Sequence, residues 1–367
     1  MRDSDRESLA GVVLSHGHPD HYGLASELPN DVPLYMGAAT VRILKEAAFF
    51  TPLGLDREPA GFLADRTPIE LGPFKVTPFL ADHSAFDAYS LLVEAAGRRL
   101  FYSGDLRAHG RKASLFQRLI DHPPEQIDVL LMEGTRITST NEDERPETTE
   151  EDVEARCVEL FGQTEGLVLL MFSIQNIDRL VSLYRAALRA NRELVLDLYG
   201  AAVTKATSNP NIPQLGFDRV NFFVPQSQKL AVLRSREFER TAEIRASRVY
   251  PEQLPDRRHQ LAMTFRPSMS ADLERADCLA GARAIWSMWP GYLHEPRMQE
   301  FHDFRARHGI PLDVVHASGH ATVADLKRLA QALAPGRIVP IHTAAPERFE
   351  QLFHRVEPHS DGEWWQV

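Results

Sequence analysis

Three imidazoles and a carboxylate crowd into six positions of the segment Ser15-His16-Gly17-His18-Pro19-Asp20-His21-Tyr22-Gly23, directly after the apolar run Ala10 to Leu14. Imidazole nitrogen and carboxylate oxygen suit zinc and its neighbours in the transition series. Ligands this dense cannot all point at one tetrahedral ion, so two adjacent ions are implied. A lone histidine near a strand end is usually a surface or hydrogen-bonded residue; four ligand types in six positions are a different matter.

A binuclear site needs more ligands than this cluster supplies, and the chain offers them after other apolar runs. They are His83 in Ala81-Asp82-His83-Ser84, Asp105 in Tyr102-Ser103-Gly104-Asp105, and His342 in Val339-Pro340-Ile341-His342-Thr343. A residue that closes a strand sits at a sheet edge, where a metal can be reached. Taken singly, each is a weak signal.

The elements that must position them are short. Apolar strands are expected at Ala10–Ser15, Pro33–Met36, Phe74–Phe79, Ala88–Glu94, Arg99–Ser103 and Val129–Met132, a spacing that predicts a sheet-rich layer. Thr138 to Glu151 is polar and acid-rich, reads as a linker or exposed loop, and leads into a helix near Asp152–Gly162. Then come a strand at Leu167–Phe172, a helix near Ile177–Ala190 and a strand at Glu193–Leu198, a parallel βαβ pattern. Further strands near Val220–Val224, Leu261–Phe265 and Ala282–Trp286 make this middle region an α/β domain of its own, with the charged helices around Lys229–Ala246 as solvated faces. The tail returns with a strand at Pro311–Val315, a helix Thr322–Leu333 capped by its threonine with Asp325 three residues on, a strand at Arg337–Ile341 and a helix from Pro346.

The 367 residues exceed one typical domain, and 43% hydrophobic with 25% charged residues is an ordinary globular composition. No apolar stretch is long enough to cross a bilayer, and the start Met1-Arg2-Asp3-Ser4-Asp5-Arg6-Glu7 lacks the apolar core of a signal peptide, so a cytoplasmic protein without membrane partners is expected. Cys157 and Cys278 form no CxxC pair and are expected reduced and buried. A net charge of −10 argues against coating nucleic acid through a broad basic face, but not against a locally basic groove, since bound cations offset charge in a cleft.

The motif order resembles the metallo-β-lactamase superfamily, in which HxHxDH is followed by a lone His, an Asp after Gly, and a final His. The resemblance implies that His16, His18 and His83 hold one ion, that Asp20, His21 and His342 hold the other, and that Asp105 bridges them. The long interval between Asp105 and His342, with the segment His316-Ala317-Ser318-Gly319-His320-Ala321, resembles the β-CASP branch, nucleases related to ribonuclease J and to the cleavage and polyadenylation endonuclease. Glu133 in Met132-Glu133-Gly134-Thr135, His320 and His342 match that branch's extra motifs, and Phe172-Ser173-Ile174-Gln175-Asn176-Ile177-Asp178-Arg179 resembles its strand-to-helix turn. The implied fold is α/β: a metallo-β-lactamase αββα sandwich over 1–137 and 312–367, interrupted by a β-CASP α/β domain over 138–311. Only about a dozen residues precede the HxHxDH strand where relatives carry two or more strands, so the sandwich is expected to be N-terminally shortened. The final motif, His342-Thr343-Ala344, departs from the Gly and acid that often follow the His.

The same resemblance implies a ribonuclease that cleaves single-stranded RNA, or DNA, with a hydroxide shared by two zinc ions, manganese being the other metal admitted. Asp20 would ligate and orient the hydroxide, Asp105 would hold the ion spacing, and His320, with Glu133 in the catalytic set, would protonate the leaving oxygen or bind a phosphate oxygen. His316, Ser318 and Ser173 would contact phosphate. The inserted domain would wall a groove in which Phe172, Trp286 or Trp289 could stack on bases, with core packing expected for at least two of the three. A homodimer is compatible with this. The rival is a hydrolase of a small ester, thioester or cyclic phosphodiester, since the metal cluster alone is common to all of these; a third reading is a non-catalytic subunit that binds RNA or a nuclease partner.

Overall fold

The computed structural model describes residues 9–138 and 148–367; the charged start and most of the acid-rich run Thr138–Glu151 lie outside the described residues. The chain divides into two compact units, one made of Met1–Val41, Leu55–Glu147 and Ser318–Val367, the other of Arg42–Gly54 and Thr148–Ala317.

In the first unit a six-stranded sheet runs in the order Arg337–Ile341, Val129–Glu133, Arg98–Tyr102, Tyr89–Ala95, Phe74–Leu80, Ile69–Leu71. Its first three strands are mutually parallel and the rest antiparallel. Successive strand residues point to opposite faces, and the sequence uses both. Leu91 and Val76 pack with Leu63, Tyr35 and Val13 of a parallel three-stranded sheet, Val12–Val13, Leu34–Gly37 and Gly61–Leu63. Leu92, Phe101, Leu130 and Met132 face the other way, toward Phe116 and Leu119 of the helix Ala113–Asp121 and Leu326, Leu329 and Leu333 of the helix Val323–Leu333. Thr322 caps that helix as expected, its hydroxyl accepting from the Asp325 N–H at 3.0 Å. Sheet against sheet on one face and helices on the other make the layered sandwich the motifs implied.

Parallel pairing also sets the address of the ligands. Ile341 stands opposite Glu133 and Tyr102 opposite Leu131, so the three parallel strands end together, and His342, Glu133 and Asp105 emerge from one sheet edge. The strand expected over Ala10–Ser15 is reduced to Val12–Val13, paired to Leu34 and Tyr35. Ser15 is still tied in, its carbonyl accepting from the Tyr89 N–H at 2.9 Å.

The second unit holds an all-parallel six-stranded sheet in the order Val220–Phe223, Glu193–Asp197, Leu261–Thr264, Val168–Met171, Arg283–Trp286, Leu312–Val314. Its inner strands are buried on both faces, which explains their unbroken apolar runs. The strands flanking the helix Ile177–Arg189 are parallel but not neighbours, because Leu261–Thr264 lies between them. Two expected boundaries move. The strand at Leu312–Val314 pairs with Arg283–Trp286, so this unit runs to Ala317 rather than ending at 311; hydrogen-bond pairing, invisible in composition, decides its side. Residues Arg42–Gly54, the greater part of a helix Ala38–Phe50 not singled out in the sequence, also belong here, with the Arg42 guanidinium donating to the Ala206 carbonyl at 2.8 Å and Arg240 paired to Glu46 at 2.5 Å.

Cys157 and Cys278 are buried and unbridged, and burial pushes their thiols up to about 12 and about 11. Phe172 and Trp286 are core residues, whereas Trp289 is exposed. Among the described residues no helix is long and apolar enough to cross a membrane. Arg179, which ends the Phe172–Arg179 motif, is fully buried against Glu150 at 3.0 Å and also donates to the carbonyls of Ser287 at 2.7 Å and Ala317 at 3.1 Å. Its task is to bind a strand end, a helix and the last loop of this unit together. Removing one partner of a buried pair strands the other's charge, so Arg179→Met is expected to cost about 3–5 kcal/mol in urea unfolding, and Arg179→Met with Glu150→Gln distinctly less.

Candidate metal centre

Every ligand proposed from the sequence lies in the first unit, and their side chains converge. His16, His18, His83 and Asp105 form one group, Asp20, His21 and His342 a second, and Asp105, Glu133, His320 and His342 a third, with the ligand atoms of each group within 4.8 Å of one another. Asp105 lies at the middle. Its Oδ2 is 3.2 Å from His21 Nε2, 3.5 Å from His16 Nε2 and 3.8 Å from His83 Nε2, while Oδ1 is 3.3 Å from His342 Nδ1.

The outer nitrogens are already committed, which aims the inner ones. His16 Nδ1 lies 3.1 Å from the Ser15 hydroxyl and His83 Nδ1 lies 2.6 Å from the Gly319 carbonyl, so the Nε2 of each faces the cluster. His83 Nε2 in turn lies 3.1 Å from His18 Nδ1. On the open side, His342 Nε2 is 3.1 Å from Asp20 Oδ2, and the Thr135 hydroxyl is 2.8 Å from His342 Nδ1. His342 adopts φ +48°, a left-handed conformation that side chains other than glycine rarely take, so its neighbours hold it against backbone strain.

His16 Nε2, His21 Nε2 and both oxygens of Asp105 are buried without a hydrogen bond. Buried polar atoms are almost always satisfied, and leaving four facing each other is costly. Five imidazoles and two carboxylates around such a gap are the donor set that a pair of divalent cations of the zinc or manganese type needs, so the residues fit the metals the motifs implied.

Charge is distributed in keeping with this. Burial holds His16 and His83 well below the ordinary histidine value, and burial takes His18 down to about 4. Burial acts to raise Asp105, but the imidazoles of His21, His342, His83 and His320 outweigh it and keep the carboxylate ionised; His342 does the same for Asp20. Asp105 and Asp20 push His342 up to about 10. His320 stands beside the cluster, its Nδ1 3.0 Å from Glu133 Oε2 and 3.9 Å from Asp105 Oδ2. Burial would lower it, yet the Glu133 carboxylate prevails and raises it. Glu133 is itself fixed by the Leu106 N–H, which donates to Oε1 at 3.0 Å.

Of the residues expected to contact phosphate, Ser318 belongs to this unit, where its hydroxyl accepts from the His320 N–H at 3.1 Å. Ser173, which is exposed, and His316 belong to the second unit and to none of the three groups. Sequence reasoning assigned no role to Thr135, Asp82, Arg107 or His109. Each lies within two positions of a ligand or motif residue, or four of Asp105 in the case of His109, and adjacency was the one available signal.

These shifts fix the pH response of protein stripped of metal by a chelator. His18 and His109 titrate near 4 when folded, His109 because of burial and the Arg107 guanidinium, and near 6.5 when unfolded. Between those values the unfolded chain binds more protons, so stability rises with pH, by up to about 3 kcal/mol per histidine. His342 is raised, so its contribution is present below about 6.5 and is lost as pH climbs toward 10. The urea midpoint of the stripped protein should therefore peak near neutral pH and fall on both sides.

The chain is similar to several known proteins. Residues 2–163 match the family model described as Beta-lactamase superfamily domain. The chain is 22% identical over 362 residues to Ribonuclease J of Sinorhizobium meliloti, covering 93% of this chain and 58% of that protein. It is 22% identical over 199 residues to Ribonuclease J 2 of Staphylococcus aureus, covering 52% of this chain and 34% of the relative. It thus spans less than two thirds of the length of these curated relatives. Among solved structures, a protein of unknown function from Enterococcus faecalis V583 superposes with a TM-score of 0.74 at 22% identity, covering 95% of this chain and 79% of that one, a likeness of fold. The first part of the chain, residues 2–163, thus matches the Beta-lactamase superfamily domain, and the chain is similar over most of its length to a protein named Ribonuclease J.

Proposed function

We propose that this protein is a metal-dependent ribonuclease that hydrolyses phosphodiester bonds of single-stranded RNA, with two zinc ions as cofactor and manganese as the alternative. The observation that carries the reading is the Glu133–His320 pair, an imidazole held 3.0 Å from a buried carboxylate and 3.9 Å from the central carboxylate of the metal-ligand cluster. Departure of a ribose oxygen from phosphorus benefits from a positioned acid. Likeness to proteins named Ribonuclease J supports the choice of RNA, and a cytoplasmic location goes with it.

In this reading His16, His18, Asp20, His21, His83, Asp105 and His342 would hold the metal ions. Bound there, the pair of divalent ions supplies a nucleophile from water at neutral pH and positive charge for the phosphorus centre. The chain does the rest. Asp20, exposed at the mouth of the cluster, orients the attacking water. His320 carries the proton that the leaving oxygen takes, and Glu133 keeps that ring charged until transfer. Ser318, whose oxygen accepts from the His320 N–H, is the residue of the first unit to test for phosphate contact. His316 and Ser173 are the second unit's residues to test for phosphate contact.

The test is incubation with 5′-monophosphorylated single-stranded RNA and, in parallel, single-stranded DNA and a small ester, with metal content measured throughout. Wild type should carry about two ions and cleave RNA. Asp105→Ala should lose both metal and turnover, whereas His320→Ala should keep metal and lose turnover by about 10²–10⁴-fold. A protein with two ions that hydrolyses the ester and leaves RNA intact is the small-substrate hydrolase instead.

A further inference from the structure

Two positions after Asp105, Arg107 is fully buried. Its Nε lies 3.2 Å from Asp82 Oδ1, and its main-chain N–H donates to the Asp82 carbonyl at 2.7 Å. The other Asp82 oxygen accepts from the Gly110 N–H at 2.8 Å, and a side chain at Gly110 would run into both Asp82 and Arg107. From this anchor Arg107 Nη1 donates to the Ser318 carbonyl at 2.9 Å, the same oxygen that His109 Nε2 approaches at 3.0 Å. The next carbonyl in that turn, of Gly319, is the one 2.6 Å from His83 Nδ1, and the next residue is His320. On the far side of His83, Lys112 Nζ donates to its carbonyl at 3.0 Å.

A buried guanidinium is an expensive way to fill space, and an apolar side chain of the same volume would pack as well. What the planar fork adds is direction: one edge fixed on a carboxylate, another on a single main-chain oxygen. We propose that Arg107 is a positioning residue which, anchored on Asp82, pins the Ser318 carbonyl and thereby sets the turn that aims His83 at the metal cluster and stations His320 beside Glu133. One buried ion pair thus governs a metal ligand and the proton donor together. The inference rests on the reading that the histidine cluster holds divalent ions, but not on RNA being the substrate.

Gly319 offers an independent handle on the same turn. A Cβ there would lie 2.6 Å from the Ser84 hydroxyl and 3.3 Å from His83 Cε1, so an alanine must displace the turn or the ligand. The experiment is zinc affinity by chelator competition, together with the visible spectrum of the cobalt-substituted protein, neither of which needs a substrate. Arg107→Lys keeps the charge and loses the fork; zinc affinity is expected to fall about 10–100-fold with an altered cobalt spectrum, while stoichiometry stays at that of wild type. Gly319→Ala should do the same, and Ser84→Gly in the same chain should restore affinity by removing the obstruction, a rescue that general loss of stability would not show. Should Arg107→Lys fail to fold, the Gly319 pair carries the decision. Wild-type affinity and an unchanged cobalt spectrum in Gly319→Ala, or in a folded Arg107→Lys, overturn the positioning role. A wild-type protein that takes up no zinc or cobalt overturns the metal reading itself, and this inference with it.

Discussion

The Asp105 carboxylate, buried and ringed by the imidazoles of His16, His21, His83 and His342 with no hydrogen bond to either oxygen, is the constraint around which the first unit is organised. An ionised carboxylate in such a place needs positive charge close by. The surrounding side chains supply part of it and leave the geometry open for cations. Two of these neighbours are aimed from behind, His16 by the Ser15 hydroxyl and His83 by the Gly319 carbonyl, and His342 shares its inward nitrogen with the Thr135 hydroxyl.

That requirement reaches outward into the fold. Three parallel strands must end in register so that Asp105, Glu133 and His342 emerge at one edge, and the hydrophobic alternation of Leu91 with Leu92 and of Val129–Met132 locks the register because a one-residue slip would turn core residues into solvent. His342 accepts a strained backbone to complete the ring, and the turn Ser318–His320 is held by a buried arginine rather than left to a flexible loop. Strain and buried charge are both costly, and His342 and Arg107 bring both into this unit. The second unit follows a different logic, that of an all-parallel sheet buried on both faces and tied by the Arg179–Glu150 pair.

Much of this was legible in the chain, and the exceptions share a cause. The strands Arg337–Ile341 and Val129–Glu133, the capped helix at Thr322 and the buried cysteines follow from local pattern, since each is decided by hydrophobic period, a cap or composition within a few residues. The side of the boundary on which Leu312–Val314 falls, and the membership of Arg42–Gly54, are decided by partners over 25 and 150 residues away and left no local mark. The same holds for Arg107, which looks like an ordinary charged residue in Gly104-Asp105-Leu106-Arg107 and is fully buried.

By itself, the sequence pointed to metal ligation: ligand types and their spacing within the His16–His21 segment are set by covalent neighbours, and no folding is needed to see that donors crowd there. Which nitrogen of each imidazole faces inward, and that Glu133 lies beside His320, were decided by tertiary structure, because distances of about 3 Å between residues up to 322 positions apart depend on strand register and on the groups that orient each ring.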